Sequence, residues 1–195
     1  MIAGIIINNI TYNIDLSKPL DLSIPIKNGE ENPNCFWAPY PMFDPYKAGS
    51  FVGATYTGAP VNFYNVKINP HGNGTHTECV GHIATENFAI RNCLTQHWFK
   101  ARLISVKPTK IENGDTVILK ESILPLLENM DNCTALIIRT LPNEKQKQTK
   151  LYSGSNPTYL DVKAMQLIVE KGIEHFLIDL PSVDREEDKL SLIHI

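Results

Sequence analysis

The run His71-Gly72-Asn73-Gly74-Thr75-His76-Thr77-Glu78-Cys79-Val80-Gly81-His82 decides how this chain is read. It places three imidazoles and one carboxylate within twelve residues. Its Gly, Asn and Thr residues favour a tight, irregular backbone over a long helix. Imidazole nitrogen and carboxylate oxygen are ligands for a borderline divalent metal such as zinc or manganese. In an extended segment residues two apart share a face, so His76 and Glu78 can address one point while Thr77 points away. His82, beyond Val80 and Gly81, returns after a turn as a third ligand or as a general base. The Glu follows its His by two, so this is not the helical HExxH pattern, and no paired cysteines flank it as in a zinc finger. Taken singly, each His reads as a surface polar residue; together, beside glycines, they read as a site.

Outward from that run, 195 residues with 43% hydrophobic content suit one domain, 1–195, with a proper core. A net charge of −3 without a basic stripe argues against a nucleic-acid partner. No apolar run approaches the roughly 18 residues of a membrane span. The apolar start Met1–Ile7 lacks basic residues and ends at Asn8-Asn9, which reads as an opening strand and not a signal peptide. Cys35, Cys79, Cys93 and Cys133 show no CxxC spacing and read as free thiols of a reducing compartment, which points to the cytoplasm. The glycosylation acceptors formed by Asn73 and Asn132 carry little meaning without a secretion signal.

Strands are expected at Ile2–Ile7, Ile10–Ile14, Val61–Ile68, Phe99–Val106, Asp115–Leu119, Ala135–Arg139 and His175–Leu180. Pro19 and Pro25 exclude a helix interior or a central strand from Asp15 to Ile26. Lys27–Lys47, rich in proline and aromatics, reads as a long ordered loop or lid. Helical spacing covers Glu121–Asn129, with Pro125 near its first turn. It also covers Tyr159–Lys171, whose apolar face is Leu160, Val162, Met165, Ile168 and Val169 and whose stop is Gly172. Leu141–Pro157 is polar and aperiodic, a surface loop. Strands early and strand–helix–strand order late indicate a mixed α/β domain. His97, beside Trp98 and Phe99, and His175, before a buried strand, read as packing residues. A Cys79 nucleophile is the alternative chemistry, with a small buried hydrophobe as the plainer reading.

Gly74-Thr75-His76-x-Glu78-x-x-x-His82 resembles the HxGTHxDxPxH signature of the cyclase-like metal-dependent hydrolases, which include bacterial kynurenine formamidase and isatin hydrolase. Asp15-Leu16-Ser17-Lys18-Pro19-Leu20 is similar to that family's opening segment. Ile137-Ile138-Arg139-Thr140 is similar to its central strand, and Ile178-Asp179-Leu180-Pro181-Ser182-Val183-Asp184 to its late strand and D-x-PS-x-D turn. The resemblance implies a swivelling β/β/α fold with a mixed sheet and a metal-dependent amidohydrolase of arylformamidase type. Its substrate would be a small N-formyl or cyclic amide, as in tryptophan catabolism, and its cofactor zinc or manganese. By position it makes His76 and Glu78 metal ligands and His82 the general acid/base. Trp37 falls roughly at a substrate-contacting Trp, and a homo-oligomer is implied.

The chain departs from the pattern in three places. The family's first His falls at Gly72, while this chain has His71, which either reaches the metal through a local bulge or leaves the first ligand lost. Val80 replaces a proline and Glu78 an Asp, the latter lengthening the reach by a methylene. After the PS-x-D turn the family supplies a further His and a Glu; here His194 alone stands near that place. The ending Leu190-Ser191-Leu192-Ile193-His194-Ile195 matches the in-frame product of a transposon sequencing adapter, so a longer natural protein is expected, with His194 foreign to it. The same departures favour the rival class, a non-catalytic binding or scaffold protein with a degraded metal site.

Overall fold

The computed structural model describes residues 1–128, 130 and 133–186. The expectations on Asn132, on His194 and on the ending from Leu190 lie outside these residues. The chain is a mixed α/β protein of small sheets and short helices. It forms two compact units: Met1–Leu22, Thr77–Glu144 and the chain from Asn156 make the first, Ser23–His76 with Lys145–Ser155 the second. Among the described residues no helix is long and apolar enough to cross a membrane.

The first unit opens with the antiparallel hairpin Ile2–Ile7 and Ile10–Asp15. Its turn residues Asn8 and Asn9 have φ of 48° and 63°. A two-residue hairpin turn of this kind needs positive φ at both positions, and Asn tolerates that better than any residue but glycine. A three-stranded parallel sheet follows, with Ala135–Thr140 between Ala101–Val106 and His175–Ile178. The central strand is almost continuously apolar, as a parallel strand covered by helices must be. Ile104, Leu136 and Ile138 from the sheet pack with Ile123 and Leu127, and with Ala164, Leu167 and Ile168 of the helix Val162–Glu170. Full burial of a side chain the size of Leu136 contributes roughly 1.5–3 kcal/mol, so this layer is the unit's main source of cohesion.

Two helix expectations change here. Tyr159–Leu160 is a strand, parallel to Thr116–Ile118, and the helix begins only after Asp161, whose extended backbone occupies the cap position. Leu160 still enters the core, from a strand and not from a helical face. In the other segment, one α-turn at Lys120–Ile123 gives way to a 3₁₀ stretch at Leu124–Leu127. Pro125 has no N–H to donate back along an α-helix, which explains the tightening.

Two of the three outer family-like segments, at Ile137–Thr140 and from Ile178, meet in the parallel sheet. The Asp179 carboxylate accepts from the Thr140 backbone N–H at 2.9 and 3.1 Å and from its hydroxyl at 3.0 Å. The side chain that follows the late strand thereby ties it to the end of the central one.

A buried carboxylate closes the same unit. Asp115 accepts from the Asn156 amide at 2.7 Å, the Tyr159 hydroxyl at 2.9 Å and the Asn113 amide at 3.0 Å, and it pairs with Arg185 Nε at 2.9 Å. The Asn156 bond, with those from Tyr159, Arg185 and Asn113, outweighs desolvation and pulls its pKa from 3.8 down to about 2. A depressed folded-state pKa contributes stability that is present above the unfolded value and lost as pH falls through the folded one. Thermal melting between pH 5 and pH 2 should therefore show Tm falling below about pH 4. Asp115→Asn should lower Tm at neutral pH and flatten that acid limb; an unchanged limb would remove Asp115 as its source.

In the second unit Met42–Pro45 pairs antiparallel with Tyr64–Lys67, and Lys47–Ala48 with Phe51–Val52. The Lys27–Lys47 segment is thus not all loop: its end is a strand. Its start is ordered by Asn32, whose buried side chain accepts from Lys27 N–H and donates to the Lys27 and Gly29 carbonyls at 2.7–2.9 Å. The expected surface loop 141–157 is also more structured than read. Asn34 bridges to Leu151, and Tyr152 and Ser153 are buried. These contacts are hydrogen bonds rather than apolar packing, so no hydrophobic period announced them.

Candidate metal centre

The decisive run is built from short polar turns. Asn69 caps a single helical turn at Pro70–Asn73: its side chain accepts from Gly72 N–H at 3.1 Å, while Asn73 Oδ1 accepts from Asn69 N–H at 2.9 Å. Pro70 fits the first helical position because no N–H is needed there. Asn-Pro-x-Gly-Asn was a readable capping signal for this turn, and the sequence reading passed over it. His71 sits on this helical turn.

Gly72 explains the displaced histidine. A Cβ at residue 72 would collide with Ala38 Cβ and approach the Cys35 carbonyl to 3.0 Å. The Gly72 carbonyl also accepts from Cys35 N–H at 3.0 Å, which holds the two backbones together. No side chain, least of all an imidazole, has room at residue 72, and the first histidine stands one residue earlier. Thr75 is a positioning residue, its hydroxyl oxygen accepting from Ile24 N–H at 3.0 Å.

His76 turns its Nδ1 to the Gly74 carbonyl at 2.9 Å, and its ring meets that of His71 edge to face with centroids 4.9 Å apart. Cys79 then precedes a single 3₁₀ turn at Val80–His82, closed by His82 N–H to the Cys79 carbonyl at 2.9 Å. That turn brings His82 back toward Glu78, with Nδ1 3.6 Å from Oε2. A Cβ on Gly81 would strike the Phe88 carbonyl, so this tight return requires glycine.

Along this continuous run one ligand atom each from His71, Glu78 and His82 lies within 4.8 Å of the others. Three donors about 2.0–2.2 Å from one tetrahedral zinc ion sit about 3.3–3.6 Å apart, so the group would draw in by about an ångström to hold an ion. His76 stands beside this trio, against His71.

Trp37 lies in the second unit, 74% exposed, with φ of 54° after Phe36 at 57°. Two successive bulky residues in the left-handed region are costly, of order 1–3 kcal/mol each. The conformation is held by Trp37 N–H donating to Ser153 Oγ at 2.9 Å, and the ring lies over Gly154. An indole is thus presented outward on a braced loop. His175 stacks on Phe99 with centroids 3.6 Å apart, the packing role expected of it. His97 is exposed, so the packing expected there is not formed.

A family model described as "Putative cyclase" matches residues 14–185. No curated protein matches the chain.

Proposed function

The chain belongs to the cyclase family, and on that premise we propose that it is a metal-dependent amidohydrolase of arylformamidase type. It acts on a small N-formyl or cyclic amide in the cytoplasm, on the family's swivelling β/β/α scaffold. The observation that carries this reading is the convergence of His71, Glu78 and His82 inside the family-matched segment.

The donor types fit the group they would hold: the imidazoles of His71 and His76, whose rings meet, and the Glu78 carboxylate, grouped with His71, are ligands that suit zinc or manganese. In this reading His71, His76 and Glu78 bind the cation, and His82 is the catalytic acid/base. A divalent cation there supplies Lewis acidity and shifts the ionisation of water toward about neutral pH. Glu78 contributes the one negative charge of the set and orients His82 through their 3.6 Å contact. His82 takes a proton from the attacking water and returns it to the leaving nitrogen, the general acid/base role that an imidazole can fill. Trp37 offers an aromatic face to the flat part of a substrate.

The test is hydrolysis of N-formylkynurenine and of small cyclic amides by the metal-free protein, alone and with zinc or manganese restored. Turnover should appear only with metal; metal-independent turnover would overturn the mechanism. The collision at residue 72 favours a second reading, a binding protein that has lost the family's first ligand. Metal analysis of the purified protein separates the two, since a binder of that kind retains no ion.

A further inference from the structure

We propose that Ser153 is a positioning residue for substrate recognition: its hydroxyl fixes the Trp37 indole, and through that ring it favours amides that carry an aromatic group. This rests on the reading of Trp37 as a substrate contact. Cys35 to Ala38 form a tight turn, closed by Ala38 N–H donating to the Cys35 carbonyl at 3.1 Å. Its central residues, Phe36 and Trp37, both have positive φ. Turns with positive φ at both central positions are ordinarily made by Asn and Gly. Here the turn carries two large aromatic residues, and it buries neither ring. A strained conformation of bulky residues without burial serves display of the rings rather than stability.

The turn is pinned from a distant part of the same unit. Ser153 Oγ accepts from Trp37 N–H at 2.9 Å and donates to Asn34 Oδ1 at 3.1 Å. Asn34 Nδ2 in turn donates to the Ala38 carbonyl at 2.7 Å, so one side chain spans the turn. Asn34 and Ser153 are both buried, and hydrogen bonds in such a low-dielectric setting are stronger than in water. Gly154, with φ of 71°, lies beneath the indole: a Cβ there would stand 3.0 Å from Trp37 Cζ2. The ring keeps its place because residue 154 has no side chain.

The same turn is fastened to the helical turn that bears His71. Cys35 N–H donates to the Gly72 carbonyl at 3.0 Å, and Ala38 Cβ fills the space where a side chain at residue 72 would start. Ser153 thus holds the indole in the frame of the site's first imidazole. Without its hydroxyl, Trp37 N–H and Asn34 Oδ1 lose that partner. The turn is then free to relax toward ordinary backbone angles, which swings the ring away. An indole ordered before the substrate arrives loses less freedom on binding.

The test reads Trp37 directly. The chain has two tryptophans, and Trp98→Phe, which changes an exposed ring of the other unit, leaves Trp37 as the sole indole emitter. In that background Ser153→Ala should lower the fluorescence anisotropy of Trp37; unchanged anisotropy would overturn the proposal. With metal restored, Ser153→Ala should raise KM for N-formylkynurenine about 2- to 10-fold, the scale of one aromatic contact, with kcat retained. KM for dihydrouracil, a cyclic amide without an aromatic ring, should not move. An equal loss on both amides would make Ser153 merely structural, and a loosened indole with both KM values unchanged would remove its role in recognition. Gly154→Ala displaces the ring while keeping the hydroxyl, so it should reproduce the selective loss even where Ser153→Ala fails to fold. In Trp37→Leu, adding Ser153→Ala should raise KM no further, and an additive loss would exclude a path through Trp37. If the unaltered protein turns over neither amide, the amidohydrolase reading fails, and the anisotropy alone decides whether Ser153 holds the ring.

Discussion

Glu78→Gln is expected to empty the metal centre and abolish hydrolysis while the fold persists. The substitution keeps the shape of the side chain, which is half exposed, and removes the only negative charge among His71, Glu78 and His82. An amide oxygen is a far weaker ligand than a carboxylate for a divalent ion. Loss of a partner that merely orients a ligand costs about 10–100-fold in affinity or activity, so loss of the carboxylate ligand itself should exceed about 100-fold. His82→Ala makes the contrast. A proton carrier contributes about 10²–10⁴-fold to rate, and its removal should leave the metal content intact. Metal analysis and kcat/KM on the two variants separate the roles. Metal lost from His82→Ala would make His82 a ligand, and wild-type turnover in either variant would end the proposed mechanism.

Gly72→His, which restores histidine to the family's position, should damage the protein rather than improve it. The added Cβ meets Ala38 Cβ and the Cys35 carbonyl, and the bond from Cys35 N–H to the Gly72 carbonyl resists a shift of either backbone segment. Overpacking of this kind costs about 1–3 kcal/mol, and an imidazole asks for more room than a methyl. Gly72→Ala isolates the steric part. Removing a glycine ordinarily stabilises by about 0.4–1 kcal/mol through the unfolded chain, so the collision must overcome that gain and reverse its sign. Urea denaturation should show both single variants destabilised and Gly72→Ala with Ala38→Gly largely restored. A neutral or stabilising Gly72→Ala would mean that the close approach to Ala38 is not tight in solution.

Much of the architecture was legible because its signals are local. The Asn8-Asn9 turn, the apolar run at Ala135–Thr140 and the i, i+3, i+4 face of Val162–Glu170 each carry their reason within a few residues. Boundaries failed where a local rule was outvoted. Leu160 fits a helical face by spacing, yet Asp161 begins the helix and leaves Tyr159–Leu160 to pair with Thr116–Ile118. The polar stretch before Pro157 looked unstructured because its order comes from Ser153 and Asn34, whose partners are more than a hundred residues away in sequence. The chemistry of the site was equally local, because its ligands are crowded into one run. The grouping within that run was not, since alternation in an extended strand pairs His76 with Glu78, whereas a 3₁₀ turn pairs Glu78 with His82.

By itself the sequence determined the family, the mixed α/β class and the kind of donor atoms gathered near the middle of the chain, because residue type and spacing survive without coordinates. Only the folded structure decided which imidazole meets the carboxylate and why residue 72 must lack a side chain. The first depends on how a single 3₁₀ turn closes; the second depends on backbones that approach to van der Waals contact from distant parts of the chain, as Cys35 and Ala38 do on Gly72, and no periodicity in one segment records where another segment will lie.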